Sequence, residues 1–264
     1  MVDEYCDDND CVDTFGSEFS RTQFEDDLKI IKTSNDDYNM AFIEDVTGFH
    51  KFDTSYGLHK FPGRHEIDKA DKSSGAYLEI RKNTWEPCHV PYLYLREIVL
   101  ATSSNRYFGP DYFFGPAIRK DHTGNILGTK SVWVSVGNPD RNLSFFQHQE
   151  EAERMLAEFK RELDRYSIKP HYIVSSGYEY TVFFVLRNIC LAPFADWFMI
   201  KHALSKMAKV DIPENAIAEL VRMPGSTSYQ MYEPMQYIEI TTDNYSESSE
   251  FYVRDFEKIV RDYS

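Results

Sequence analysis

The stretch Ser175-Ser176-Gly177-Tyr178-Glu179-Tyr180-Thr181-Val182-Phe183-Phe184 reads as a turn that runs into a strand. Ser-Gly favours a reversal of the chain, and over residues 179–186 the β-branched and aromatic residues of a strand take over. Residues 171–175 form the strand before the turn, and residues 131–137 form another of similar composition. Between them, 147–166 is a helix with Met155, Leu156, Phe159, Leu163 and Tyr166 on one stripe. Downstream, Pro193 opens a helix near 194–209, 214–221 suits a short helix, and 236–241 a strand.

Without the short helix the order is β-α-β-β-α-β, the ferredoxin-like or RRM unit. The expected fold is α+β, with this core over 131–241 and an N-terminal α/β extension over 29–130. Residues 242–264 supply a loop and an amphipathic helix near 251–263. In such a unit the first and third strands lie side by side at the sheet centre. Side chains two apart share a face, so Ser135 and Gly137 on one strand face the same way as Trp133. Glu179, Thr181 and Phe183 share a face of the other. Residues 77–80, 96–101 and 111–118 also read as strands and 120–125 as a turn-rich loop, whereas 29–75 shows no clear element.

The chain has 264 residues and a formal net charge of −14. Residues 1–50 hold 14 of its 43 acids and three of its 29 bases, so the rest is close to neutral. Segment 1–28 is Asp-rich with little periodicity, the composition of a disordered arm. Such a charge argues against a general polyphosphate binder but leaves room for a local basic groove. The 18 Tyr and 19 Phe suit an aromatic core or platforms for stacked bases. Cys6, Cys11, Cys88 and Cys190 do not complete a zinc site and read as free thiols. The acidic start is not a signal peptide, and no apolar run is long enough to span a bilayer. A cytoplasmic location, or the interior of a virus-infected cell, is expected rather than secretion or a membrane.

The ordered set of segments around Trp133, Ser176-Gly177 and Arg222-Met223-Pro224-Gly225-Ser226 resembles the core of archaeo-eukaryotic primase-polymerases of plasmids and phages. Phe114-Gly115-Pro116-Ala117-Ile118-Arg119 is similar to the strand and arginine that lead into that family's first motif. The resemblance spans about residues 107–241. It implies an RRM-like catalytic core with an Asp-x-Asp motif, a strand bearing a His, and a third acid ahead of Arg-Leu-Pro-Gly-Thr. This chain departs from it where the chemistry lies. Ser135 and Gly137 stand where the two aspartates would, Thr181 where the His would, and Ala216 where the third acid would.

Nucleotidyl transfer in that family needs two divalent metals held by carboxylates. Serine is a poor neutral ligand for Mg²⁺ and glycine offers no side chain. Glu179 and Asp140 are the candidate substitute acids, with Glu219 close to Ala216; each is otherwise a solvated surface charge. Arg119, Lys120, Ser176, Gly177 and Arg222 are candidate nucleotide or nucleic-acid contacts. The first two are alternatively solvated charges, Ser176-Gly177 a hairpin turn rather than an anion nest, and Arg222 a helix end before a turn. His89, His148 and His171 show no metal-ligand spacing and read as surface or satisfied histidines. No nucleophile–base pair or phosphate-binding Gly-x-x-x-x-Gly-Lys loop is present.

Three readings stay open. The first is a non-catalytic primase-like replication protein of a mobile element or virus, with no metal and no cofactor. It would bind single-stranded or template DNA, or a replication protein such as a catalytic primase, helicase or polymerase. The second is an active primase-polymerase using Mg²⁺ or Mn²⁺ through unusual ligands. The third is an interaction module or DNA mimic on the same scaffold.

Overall fold

Asn39, Phe42, Ile43, Val46 and Thr47 recur at helical spacing, and they form the buried face of α1 (Ser34–Thr47). This helix falls in a stretch where the sequence showed no element. The computed structural model describes residues 34–48, 77–82, 88–91, 112–119, 125–137, 144–228 and 236–264. The arm over 1–28 and the strand expected over 96–101 lie outside them.

The strands are β1 (Tyr77–Lys82), β2 (Cys88–Pro91), β3 (Tyr112–Arg119), β4 (Ile126–Val136), β5 (Tyr172–Ser175) and β6 (Tyr180–Leu191). Beyond them come β7 (Val221–Arg222), β8 (Thr227–Ser228), β9 (Gln236–Tyr237) and β10 (Glu239–Asp243). Helix α2 (Phe145–Asp164) joins β4 to β5, α3 (Ala195–Ala208) follows β6, and α4 (Glu257–Tyr263) ends the chain. The main sheet has the order β10-β5-β6-β4-β3-β1-β2, with β7 added to β3; β8 and β9 pair separately.

The central pairing is the expected one. β6 lies antiparallel to β4, with Trp133 opposite Phe183, Ser135 opposite Thr181 and Val136 opposite Tyr180. β6 also pairs antiparallel with β5 through the hairpin. Thus β4-α2-β5 is a split β-α-β unit with β6 inserted between its strands. Consecutive residues point to opposite faces. Phe183 packs edge-on against Phe42 of α1 (5.3 Å between centroids), while Phe184 meets Phe159 of α2 (6.4 Å). The sheet therefore carries a helix on each face, and its aromatic residues supply much of the core.

Three expectations are corrected. In a ferredoxin-like unit the fourth strand lies beside the first; here β10 pairs with β5 at the other end. β3 occupies the neighbouring place beside β4, so the final strand takes the free edge of β5. Residues 214–221 form only a 3₁₀ turn at Ala216–Ala218 before β7. At the end of the chain, Val253–Phe256 is a 3₁₀ turn and only α4 is α-helical. Asp255 caps the start of that turn, its Oδ2 accepting the Tyr252 N–H at 2.7 Å.

Among the described residues no helix is long and apolar enough to cross a membrane.

Candidate functional site

β3 and β4 part company early. They are in register at Ile118–Gly128 and Arg119–Ile126, whereas the start of β3 pairs with β1 on one edge and β7 on the other. The edge of β4 beyond Gly128 is left to α3. The Trp197 indole N–H donates to the Ser131 carbonyl at 2.9 Å, and the Lys201 ammonium to the Trp133 carbonyl at 2.7 Å. Two residues along a strand advance about 6.6 Å and four along a helix about 6 Å. An i, i+4 pair on α3 therefore matches alternate carbonyls of β4.

Lys201 is 2% exposed. Its ammonium lies 2.9 Å from Glu219 Oε2 and 5.6 Å from the centre of the Trp133 ring. The Trp133 indole N–H donates to the same oxygen at 3.1 Å, and the Ser135 hydroxyl reaches Oε1 at 3.5 Å. Both oxygens of Glu219 are therefore engaged. Burial pulls the Lys201 ammonium below its ordinary pKa, and the charge of Glu219 opposes that shift.

Gly137 follows β4 and lies against the start of β6. A Cβ on residue 137 would stand 2.9 Å from the Cβ of Glu179 and 3.1 Å from the Tyr178 carbonyl oxygen. Burial pushes the Glu179 carboxyl above the usual carboxylate range; the Arg222 charge opposes this and the Glu219 charge adds to it. Arg222 is set by β7, which pairs it with Phe113, and its guanidinium lies 5.0 Å from that ring's centre. Two carboxylates, a buried ammonium and a guanidinium thus share one field around Ser135 and Gly137. Thr181, directly across from Ser135, is 5% exposed.

An open cleft of about 1540 Å³ includes Ser135, Gly137, Glu179 and Arg222, and continues between α2 and the end of α3. Its wall is charge-compensated rather than basic. Arg154 is braced by Glu151 and Glu158 at 2.6 and 2.5 Å, Lys209 meets Glu158 at 3.1 Å, and Arg165 meets Glu162 at 2.8 Å.

Several sequence expectations change. Glu179 and Glu219 are only partly exposed, and the charge of Glu219 is felt at Glu179. Ala216 is buried, and the carboxylate that reaches Ser135 comes from Glu219 instead. Ser176 and Gly177 do not form an anion nest. The Ser176 N–H donates to the Glu179 carbonyl at 3.0 Å, the Gly177 N–H to Ser175 Oγ at 3.3 Å, and the Glu179 N–H to Ser176 Oγ at 3.3 Å. These donors are spent on closing the hairpin, which also needs glycine at φ +81°.

Arg119 is buried in an ion pair with Glu79 and does not line the cleft. Lys120 and Asp140 lie outside the described residues. His171 is satisfied, as expected: its Nδ1 accepts the Val185 N–H at 2.8 Å, and Nε2 lies 3.0 Å from the Ser249 carbonyl oxygen. Cys190 is a free thiol that burial raises to about 11. Sequence reasoning missed Lys201. The available signal was a charge one turn beyond Trp197 on the apolar stripe of α3.

The donor set does not fit a pair of divalent cations. Residue 137 has neither a side chain nor room for one, and Ser135 and Thr181 are neutral. Glu219 already holds an ammonium that would repel a second cation. Among the described residues no three His, Cys, Asp or Glu side chains are grouped to hold a metal ion.

No protein-family profile matches the chain, and no curated protein matches its sequence. Solved structures do show a likeness. The AEP domain of the cyanophage S-2L primase-polymerase is 11% identical with a TM-score of 0.44, over 74% of this chain and 93% of that one. Primase RepB′ is 14% identical with a TM-score of 0.41, over 71% of this chain and 56% of that one. The catalytic domain of RepB′ in complex with initiator DNA is 13% identical with a TM-score of 0.42, over 71% and 84%.

Proposed function

We propose that this chain is a primase-polymerase-like replication protein that has given up nucleotidyl transfer and acts as an accessory subunit binding nucleic acid or a replication enzyme. The Lys201–Glu219 pair carries this reading. Metal-dependent phosphoryl transfer uses carboxylates to gather divalent charge around the reacting phosphate. Here one carboxylate is occupied by a buried lysine, and the adjoining strand positions are Ser135, Gly137 and Thr181. The positive charge is built into the protein and cannot exchange with solvent or follow a substrate in. Sequence order supports the primase-like part of the reading, through Trp133, Ser176-Gly177 and Arg222-Met223-Pro224-Gly225.

The influence of the Glu219 charge on Glu179 favours the competing reading, an active enzyme with substitute acids. That reading requires a metal to displace Lys201 from Glu219. A primer-synthesis and primer-extension assay with Mg²⁺ and with Mn²⁺ separates the two. The expected result is no template-dependent product. Product formation that disappears in Glu179→Ala or Glu219→Ala overturns the proposal in favour of an active enzyme.

A further inference from the structure

Away from the cleft, Tyr252 is 37% exposed and carries two guanidiniums. Arg187 lies 5.0 Å and Arg254 4.7 Å from its ring centre. Backbone bonds set this arrangement. The Arg187 N–H donates to the Phe251 carbonyl at 2.8 Å and the Phe251 N–H to the Val185 carbonyl at 3.0 Å, so Tyr252 is held beside the middle of β6. The Arg187 guanidinium donates to the Glu247 carbonyl at 3.3 Å, and Asp255 spends its Oδ2 on the Tyr252 N–H. Four residues beyond Arg254, the Lys258 ammonium lies 5.0 Å from the ring centre of Tyr166.

Among the described residues, neither Arg187, Arg254 nor Lys258 is in an ion pair. Two guanidiniums over one ring repel each other, and the ring quadrupole offsets only part of that. An anion bound beside these guanidiniums lowers that repulsion. Guanidinium planes and an exposed tyrosine also offer surfaces on which bases stack.

We propose that Arg187, Tyr252 and Arg254, extended by Lys258 and Tyr166, form a contact surface for single-stranded nucleic acid. The two arginines take phosphates, and their guanidinium planes, backed by the Tyr252 ring, offer a base its stacking surface. The proposal draws on the nucleic-acid-binding reading above for its choice of anion, but not on the absence of catalysis.

The test is fluorescence anisotropy of labelled oligothymidylate with the full chain across a salt series. Arg187→Ala/Arg254→Ala should make the log-affinity against log-salt slope shallower by about 1.4, two phosphates at about 0.7 each. Tyr252→Ala should weaken binding about fivefold or more at low salt. Because all three side chains are exposed, the variants should melt as the parent does. Unchanged affinity and slope in the double variant, with binding lost in Arg222→Ala, overturns this surface and leaves the cleft as the binding site. Binding of polyglutamate through these residues, with none of oligothymidylate, assigns the surface to an acidic protein and also overturns the proposal. Primer synthesis by the parent would sink the accessory reading without touching this one.

Discussion

Gly137 and Glu179 are packed so closely that a Cβ on the glycine would stand 2.9 Å from the Cβ of the glutamate. The glutamate stem occupies the space a side chain at 137 would need. Gly137→Asp should therefore destabilise the fold by about 1–3 kcal/mol, the usual cost of overpacking. Glu179→Gly should relieve part of that loss in the double variant, the Tyr178 carbonyl still crowding the position. Denaturant midpoints of the two single variants and the double variant check this; additive losses would mean the two positions do not collide.

Glu179→Gln should stabilise the protein near neutral pH. The folded carboxyl titrates above its unfolded value of 4.5, chiefly because it is buried. A raised carboxyl contributes stability that is present below the unfolded pKa and lost as pH rises through the folded one. The variant should therefore be more stable than the parent at pH 7, and the gap should close as pH falls toward 4.5. Unfolding curves across that range test the sign.

Breaking the Lys201–Glu219 pair from the glutamate side should cost more than from the lysine side. Glu219→Ala leaves an ammonium that is 2% exposed with only a carbonyl partner, and should cost about 3–5 kcal/mol. Lys201→Met leaves a carboxylate that keeps the Trp133 indole and Ser135 hydroxyl as donors. If the lysine stands in for a cation, Mn²⁺ should raise the melting temperature of Lys201→Met and leave that of the parent unchanged. Thermal melts of both proteins with and without Mn²⁺ give the answer.

The His171 imidazole should make the fold sensitive to mild acid. Burial holds its folded pKa below the ordinary 6.5, and contacts with the Val185 N–H and the Ser249 carbonyl fix a neutral ring. A depressed histidine binds fewer protons folded than unfolded, so stability falls as pH drops below about 6.5. His171→Gln should flatten the stability-against-pH curve between pH 7 and pH 5. An unchanged curve would assign the acid sensitivity to other groups.

The C-terminal segment should be indispensable for cooperative folding. Lys130 of β4 is 1% exposed and ion-paired with Glu250, which also accepts from the Tyr245 hydroxyl at 2.9 Å. Phe256 and Ile259 are fully buried. Truncation before Tyr245 strands a charged lysine in the core and removes both apolar plugs. Loss of a cooperative melt in the truncated chain is the expected outcome. Glu250→Gln alone should cost about 3–5 kcal/mol.

Local composition was enough to place β4, α2, β5, β6 and α3, because their side-chain periods and the turn at Gly177 are properties of short segments. It also separated Ser135, Gly137 and Thr181 from groups able to hold a metal, since that depends only on side-chain chemistry. The helix α1 was legible in principle from Phe42, Ile43 and Val46, but its stripe is short and polar residues interrupt it. Only the tertiary structure decided where β10 would pair, because edge choice depends on which strand lacks a neighbour. Only the tertiary structure showed that β4 leaves β3, opening an edge for Trp197 and Lys201, and that Glu219 reaches Lys201, Trp133 and Ser135 there. A strand fixes the direction of its own side chains by its period; which charges from other elements reach them depends on packing between elements far apart in the chain.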